Sequence, residues 1–213
     1  MGKFIAFIAI IAFTSHGVYG MNLNEPLKQA TQRIEAYFAK MSSEFNVPGF
    51  VSTPPNRFIN EIKFDQANFK NLNQIKRSKP YVLTTHQTID CYFNASTSTI
   101  DSAVTFGDLK GLRVIQQVPV SVYFEIFTPN FYAKDKSPFK NIRVKLDFNR
   151  NAIIYDDNLK QEMDKKPLCE LEKHIIDQSV KRHSSVHSKV EKVVEKEVLN
   201  ALNQIHFDDL WKK

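Results

Sequence analysis

The stretch Val118–Phe127, VPVSVYFEIF, decides the fold. Successive side chains of an extended strand point to opposite faces, so its even-numbered apolar residues share one face. The stretch Ile142–Asn149, IRVKLDFN, repeats the alternation with polar residues at every second position. Both stretches predict half-buried strands of an antiparallel sheet that has one apolar face. The apolar positions are Val118, Val120, Val122, Phe124, Ile126, Ile142, Val144, Leu146 and Phe148.

Two earlier segments predict further strands of this sheet. Leu83, Ile89, Cys91 and Phe93 share one parity in the first, and Ile100, Val104 and Phe106 share one parity in the second. Clusters of small, polar and turn-forming residues separate the predicted strands. The polar stretch NASTST between the first two predicts a hairpin tip. The predicted tip and turns lie at Asn94–Thr99, Gly107–Gly111 and Lys134–Pro138.

Long amphipathic helices are predicted on both sides of these strands. In Leu23–Phe45 and again in Leu168–Ile205 the apolar residues recur three and four positions apart, which places them on one stripe of a helix. Val47–Gly49 ends the first helix and Pro167 can begin the last. The polar stretch Ser179–Ser188 predicts a kink or a break in the last helix.

The order helix, sheet, helix favours an α+β domain. Its antiparallel strands need a cover for their shared apolar face, and the two amphipathic helices supply one. We therefore expect the helices to lie on one face of a curved antiparallel sheet.

The first residues have the pattern of an export signal. Lys3 precedes the apolar run Phe4–Phe13, and Val18 and Gly20 stand three and one positions before a cleavage site. The run is shorter than the about 20 apolar residues that span a bilayer. We expect cleavage after Gly20, secretion of the protein, and a single domain at 21–213.

Charge and composition limit the kinds of partner that we expect for this protein. The chain is 42% hydrophobic and 24% charged, which is typical of a globular protein. Its net charge of +6 comes from basic residues that are scattered along the sequence. No basic stripe interleaved with aromatic residues is evident, so nucleic acid is not expected as a partner. A weak contact with anionic membrane surfaces or microbial lipids stays open.

Two features suit an extracellular protein. Cys91 and Cys169 are the only cysteines, and such a pair usually forms a disulfide in an oxidising compartment. Asn94-Ala95-Ser96 is the one N-glycosylation sequon, which predicts a glycan on Asn94.

No catalytic or metal site is evident. His183 and His187 have the i, i+4 spacing of two zinc ligands on a helix, but Ser184 stands where a zinc protease needs glutamate. We expect these histidines on a solvated helix face. The sequence has no Gly-x-Ser-x-Gly motif, and its six glycines form no phosphate-binding loop. Asp156-Asp157 is expected in a turn. We predict no enzyme, no metal and no cofactor.

Two short stretches carry a resemblance to a known family. Asn71–Arg77, NLNQIKR, is similar to a leucine- and lysine-rich stretch in an early strand of the group 7 mite allergens. Phe106–Leu109, FGDL, is similar to their strand-end Gly-Asp-Leu. The order of elements and the length also agree over nearly the whole mature chain. The chain thus resembles members of the TULIP superfamily, which includes bactericidal/permeability-increasing protein and the insect juvenile-hormone-binding proteins.

The resemblance implies a half-length superroll, in which a strongly curled antiparallel sheet wraps around long helices and leaves an apolar groove. Family members of this shape bind lipids or other hydrophobic molecules and have no catalytic residues. The resemblance therefore predicts a non-enzymatic carrier of a lipid or terpenoid.

The apolar stripes of both helices and the apolar face of the sheet predict the lining of this groove. The alternative is a secreted immune or salivary interaction protein that acts through its surface and has an ordinary core. The predicted lining residues are Ile34, Phe38, Met41, Phe124, Ile126, Val144, Leu146, Val190, Val194 and Val198.

Overall fold

The structure is a computed structural model that describes residues 24–52, 62–80, 82–83, 88–106, 109–128, 137–148, 152–155, 173–176 and 185–211. The helices are α1 (Asn24–Ala39), α2 (Ser185–Asn203) and α3 (Phe207–Trp211), and Leu72–Gln74 forms a 3-10 turn. The strands are β1 (Glu44–Val47), β2 (Phe50–Ser52), β3 (Ile62–Lys70), β4 (Lys76–Arg77), β5 (Val82–Leu83), β6 (Thr88–Ala95), β7 (Thr99–Phe106), β8 (Leu109–Gln117), β9 (Val120–Phe127), β10 (Phe139–Leu146) and β11 (Ala152–Tyr155).

The strands form two antiparallel sheets. In sheet A, β1 and β2 pair with one edge of β3, and β7, β8 and β11 follow in that order. In sheet B the order is β10, β9, β6, and both β4 and β5 pair with the other edge of β6. The predicted α+β class with an antiparallel sheet and amphipathic helices is confirmed. The strong curl of the sheet stays a prediction.

The paired strands β6 and β9 of sheet B continue into the paired strands β7 and β8 of sheet A, and together they form a long two-stranded ribbon. The prediction of a hairpin tip at Asn94–Thr99 is therefore wrong. β6 pairs with β9 and β7 pairs with β8, so β6 and β7 are not partners in a hairpin. The chain instead bends at Ser98, whose hydroxyl lies 3.0 and 2.7 Å from the carbonyl oxygens of Ala95 and Val118. The amide of Val118 donates to the carbonyl of Ser98, which keeps the ribbon paired through the bend.

The first helix ends earlier than its apolar stripe predicted. The amide of Met41 donates to the carbonyl of Phe38, three residues back, which closes α1 in a tight last turn. Phe45 therefore lies on β1, where its ring stacks on Phe69 with centroids 5.3 Å apart. Strand pairing with β3 outweighs the continuation of the helical pattern at this point.

Strand β3 was not predicted because its alternation changes phase. A register shift between Phe64 and Gln66 inserts an extra residue, so the apolar positions are even before it and odd after it. Gly49 lies against this bulge. A Cβ atom at Gly49 would stand 2.9 Å from the carbonyl oxygens of Phe64 and Asp65, so only glycine allows the turn between β1 and β2 to approach this closely.

The structure describes two parts of the predicted last helix. A helical turn at 173–176 precedes α2, and the residues between them lie outside the described part of the chain. After α2 the chain forms α3, which the sequence analysis did not predict. The Arg33 guanidinium donates to the carbonyl oxygens of Asp209 and Leu210, both at 2.9 Å, and so joins α1 to α3.

An ion network lies on the outer face of sheet A. Lys70 Nζ stands 2.8 Å from Asp101, and Arg113 donates to both Asp101 carboxylate oxygens, at 3.0 and 2.8 Å. The hydrogen bonds from Arg113, followed by those from Lys70, lower the pKa of Asp101 to about 2. These three residues join β3, β7 and β8.

Asp101→Asn is expected to lower the free energy of unfolding at neutral pH by about 1–2 kcal/mol, after screening by solvent is allowed for. Because the folded-state pKa is depressed, this contribution is fully present above the ordinary pKa of 3.8 and is lost as the pH falls towards 2. Urea unfolding between neutral pH and pH 2 measures both effects. The matched control is Asp65→Asn, an exposed change on the same face. Equal stability of the Asp101 variant and the native protein would contradict the prediction.

Candidate ligand-binding site

The predicted lining residues meet in one apolar cluster. They come from both long helices, from β9 and β10 and, for Met41, from the residues just after α1. Other inward-facing side chains of both sheets join them. Among the described residues, the buried His187 packs against one member of this apolar cluster, Phe148. The fully buried members of the predicted lining are Ile34, Phe38, Phe124, Ile126, Leu146, Val190, Val194 and Val198, and the half-buried ones are Met41 and Val144.

A line of aromatic rings crosses the cluster. Phe38 of α1 meets Phe93 of β6 edge-on with centroids 5.8 Å apart, and Phe93 stacks on Phe124 of β9 at 5.3 Å. Phe124 in turn meets Phe139 of β10 at 5.1 Å. Phe93 and Phe139 were absent from the predicted lining. The inward parity of Phe93 was visible in the sequence, whereas Phe139 became a neighbour only through the pairing of β9 with β10.

The helices lie side by side on this inner surface. α1 contacts α2, α3, the 3-10 turn and β4, while α2 contacts β10 of sheet B and β1 and β2 at the edge of sheet A. Helix α2 therefore connects an edge strand of one sheet to the edge strands of the other. Its buried stripe, Val190, Val194 and Val198, has the i, i+4 spacing that the sequence predicted.

The centre of the cluster is closed. Phe38, Phe124 and Val194 each have a relative exposure of 0%, which leaves no space for water beside them. The open groove that the family resemblance implied is therefore absent next to these side chains, and a ligand has to separate them. Incomplete cover is found at the rim of the cluster, its periphery, where the half-buried apolar side chains are Tyr37, Met41, Phe45, Ile142, Val144, Val193 and Trp211.

The described part of sheet A holds a second buried patch, of which the sequence analysis assigned only Val104 to a shared strand face. Its residues share the inward parity of Ile100, and Ser102 and Gln116 are buried polar neighbours on the same face. The patch extends the apolar inner surface along β7 and β8 towards Phe106 and Leu109, where these two strands end and begin. Its members are Ile62, Phe64, Val104, Leu112 and Val114.

Cys91 lies on the inner face of β6 opposite Phe124. It is 1% exposed and carries a free thiol in this structure, with Sγ 3.8 Å from the carbonyl oxygen of Ile89. Burial, with a smaller contribution from the charge of Asp90, raises the pKa of the thiol to about 12. Such a thiol is a poor nucleophile. Cys169 lies outside the described residues, so the disulfide stays a prediction.

The expectation of a solvated face is wrong for His187. Its side chain is buried and its ring lies 4.9 Å from that of Phe148, while Nε2 stands 3.9 Å from Glu191. His183 lies outside the described residues. Among the residues that the structure describes, no three His, Cys, Asp or Glu side chains are close enough together to hold a metal ion.

Comparisons with known proteins show no family for this chain. No protein-family model and no curated protein matches the chain. A solved structure, the crystal structure of Epiphyas postvittana Takeout 1, is similar with 13% sequence identity and a TM-score of 0.39, over 88% of this chain and 90% of that chain. The resemblance to group 7 mite allergens stays a prediction. The described helices include none that is long and apolar enough to span a bilayer.

Proposed function

We propose that the protein is a secreted, non-enzymatic carrier of an apolar ligand, a lipid or a terpenoid, held between the helices and the sheets. The observation that carries this proposal is the apolar cluster in which buried side chains of α1, α2, β9 and β10 meet. Binding sites for apolar molecules are lined mainly by such side chains.

The rim of the cluster is the proposed access route. Helix α2 packs on β10, the strand at one edge of sheet B. Ile142 and Val144 of β10 and Val193 of α2 are half-buried. A bulge at Asn141, with a φ of 53°, interrupts the pairing of β10 with β9 beside Ile142. A small outward displacement of α2 would let an acyl chain enter there without breaking the central strand pairs.

The balance of energies favours an elongated ligand. Separating packed side chains costs their mutual contacts, and only a ligand that buries comparable area can offset this. Each buried methylene contributes about 0.8 kcal/mol, so an acyl chain of about ten methylenes contributes about 8 kcal/mol. A compact ligand of a few carbon atoms would bury too little area to offset the cost of separating the packed side chains.

The second candidate is a secreted interaction protein that acts through its surface. The complete burial of Phe38, Phe124 and Val194 favours it, because an ordinary core has the same packing. The two candidates differ in whether the cluster opens for a ligand.

Secretion, the glycan on Asn94 and the disulfide belong to the same proposal. Asn94 is exposed, as glycosylation requires.

A bond from Cys91 to Cys169 would close a loop of about 80 residues and contribute about 4–5 kcal/mol by the chain-entropy model. We expect neither cysteine to be alkylated in denaturant without reductant, as read by mass spectrometry of the secreted protein. Alkylation of both would refute the bond.

Energy transfer from Trp211 tests the carrier proposal. Trp211 is the only tryptophan and packs against the cluster, so it reports on a probe bound there. We expect saturable transfer to a dansyl-labelled undecanoic acid. Dansylglycine, which lacks the acyl chain, is the control. Equal signals from the two probes, or none, would contradict the proposal.

A further inference from the structure

The outer face of sheet B gathers basic residues that are far apart in the sequence. Pairing of β9 with β6 and β10 places Tyr123 beside both Tyr92 and Arg143. The next row along the strands places Ser121 beside Lys145 and Asn94, and Lys76 of β4 pairs with Asn94. The sequence analysis expected scattered charges and no basic stripe interleaved with aromatic residues. Strand pairing brings several of these scattered charges onto one face, although they do not form a stripe.

Aromatic rings occupy the middle of the same face. Tyr92 and Tyr123 are half-buried with centroids 5.1 Å apart. Lys79 Nζ lies 4.7 Å from the Tyr92 centroid, and the Arg143 guanidinium lies 5.8 Å from that of Tyr123. These distances are within the range of cation–π contacts, which hold the two cations above the rings.

Two acidic residues of this face are already engaged, and a third, Asp147, is exposed directly after β10. Glu125 pairs with Lys140 at 3.4 Å, and a hydrogen bond from Asn141 is the main cause that lowers the pKa of the Glu125 carboxyl. The Tyr123 hydroxyl lies 2.8 Å from Asp90 and donates a hydrogen bond to it. Neither carboxylate is left to neutralise the remaining cations.

Four exposed cations remain uncompensated. The part of the chain that the structure describes places no carboxylate within 4.0 Å of their charged groups. They are contributed by β4, by the segment after it and by β10, so they are spread across the width of the sheet rather than along one line. The four are Lys76, Lys79, Arg143 and Lys145.

We propose that the outer face of sheet B docks on an anionic lipid surface. Its charge complements anionic headgroups, and the spread of the cations over several strands suits a planar partner better than a linear polyanion. Tyrosine rings with polar hydroxyl groups are favoured at the boundary between headgroups and acyl chains. The opposite face of the same sheet lines the apolar cluster, so docking would bring that cluster close to a membrane.

Cosedimentation with lipid vesicles tests this inference. The full-length secreted protein, and its Asn94→Gln variant that cannot carry a glycan on this face, are mixed with phosphatidylcholine vesicles with and without phosphatidylserine. We expect binding only to the anionic vesicles, and weaker binding as salt is added because salt screens the attraction. A basic side chain near such a surface contributes about a factor of five in affinity, so Lys79→Gln with Arg143→Gln should lose about 25-fold.

The matched control is Lys63→Gln with Lys110→Gln, which removes the same charge from exposed positions of sheet A. It should bind vesicles nearly as well as the native protein. Equal losses in both double variants, no binding to anionic vesicles by either glycoform, or binding to heparin alone would overturn the inference. Acyl-probe binding by the Lys79 and Arg143 variant should be unchanged, so failure of the docking face and failure of the carrier proposal are read out separately.

Discussion

Replacing Phe124 with alanine is expected to lower the free energy of unfolding by about 3–5 kcal/mol. Its ring is fully buried between Phe93 and Phe139, with centroids 5.3 and 5.1 Å away. Truncation removes the buried apolar area and leaves a cavity, because partners held by two strands and their pairing cannot collapse into the space. Urea unfolding followed by circular dichroism gives the free energy.

Phe127→Ala is the matched control for this variant. Phe127 lies on the same strand but on the outer face of sheet B, where it is half-buried beside Lys140. It should cost clearly less than Phe124→Ala. If the two variants cost the same, the inward face of β9 is not the centre of the core.

Val144→Asp is expected to weaken binding of the dansyl-labelled acyl probe by about 10- to 100-fold while the protein still folds. Val144 is half-buried at the rim, so the new carboxylate can reach water in the free protein. A bound acyl chain would cover the carboxylate and remove it from water, which disfavours the complex. The expected loss of 10- to 100-fold corresponds to about 1.4–2.7 kcal/mol. Energy transfer from Trp211 measures the affinity.

Ser121→Asp is the matched control for Val144→Asp. It adds the same charge on the neighbouring strand, but on the exposed outer face. Its probe affinity should stay within about twofold of the native value, because the carboxylate remains in water whether or not the probe is bound. Equal affinities of the two variants would place the binding site away from the boundary between α2 and β10.

The sequence predicted correctly those segments in which apolar residues recur at a constant spacing. β9 alternates throughout and β10 alternates after its bulge at Asn141, so Phe124, Ile126 and Val144 were assigned to the inner face. The stripe of α2 was also assigned correctly. β3 was missed because a bulge changes its phase, and the end of α1 was misplaced because Phe45 fits a helix stripe and a strand equally well. Periodicity cannot distinguish these cases, since long-range pairing decides them.

The surfaces were harder to predict than the core. Lys79 and Arg143 meet around a pair of tyrosines only because β6, β9 and β10 are neighbours, a pairing order that local patterns do not contain. His187 is buried for a similar reason. Its position in a polar stretch predicted a solvated helix face, but the ring of Phe148, two residues after β10, packs against the His187 ring.

The most direct test of the carrier proposal is native mass spectrometry of the protein secreted by eukaryotic cells, combined with organic extraction of the same sample. The proposal predicts a complex heavier than the chain, with its glycan, by the mass of one apolar molecule, and the recovery of that molecule in the organic phase. A chain that carries no such molecule, and that binds no acyl or sterol probe at micromolar concentration, would contradict the proposal and leave the closed cluster as an ordinary core.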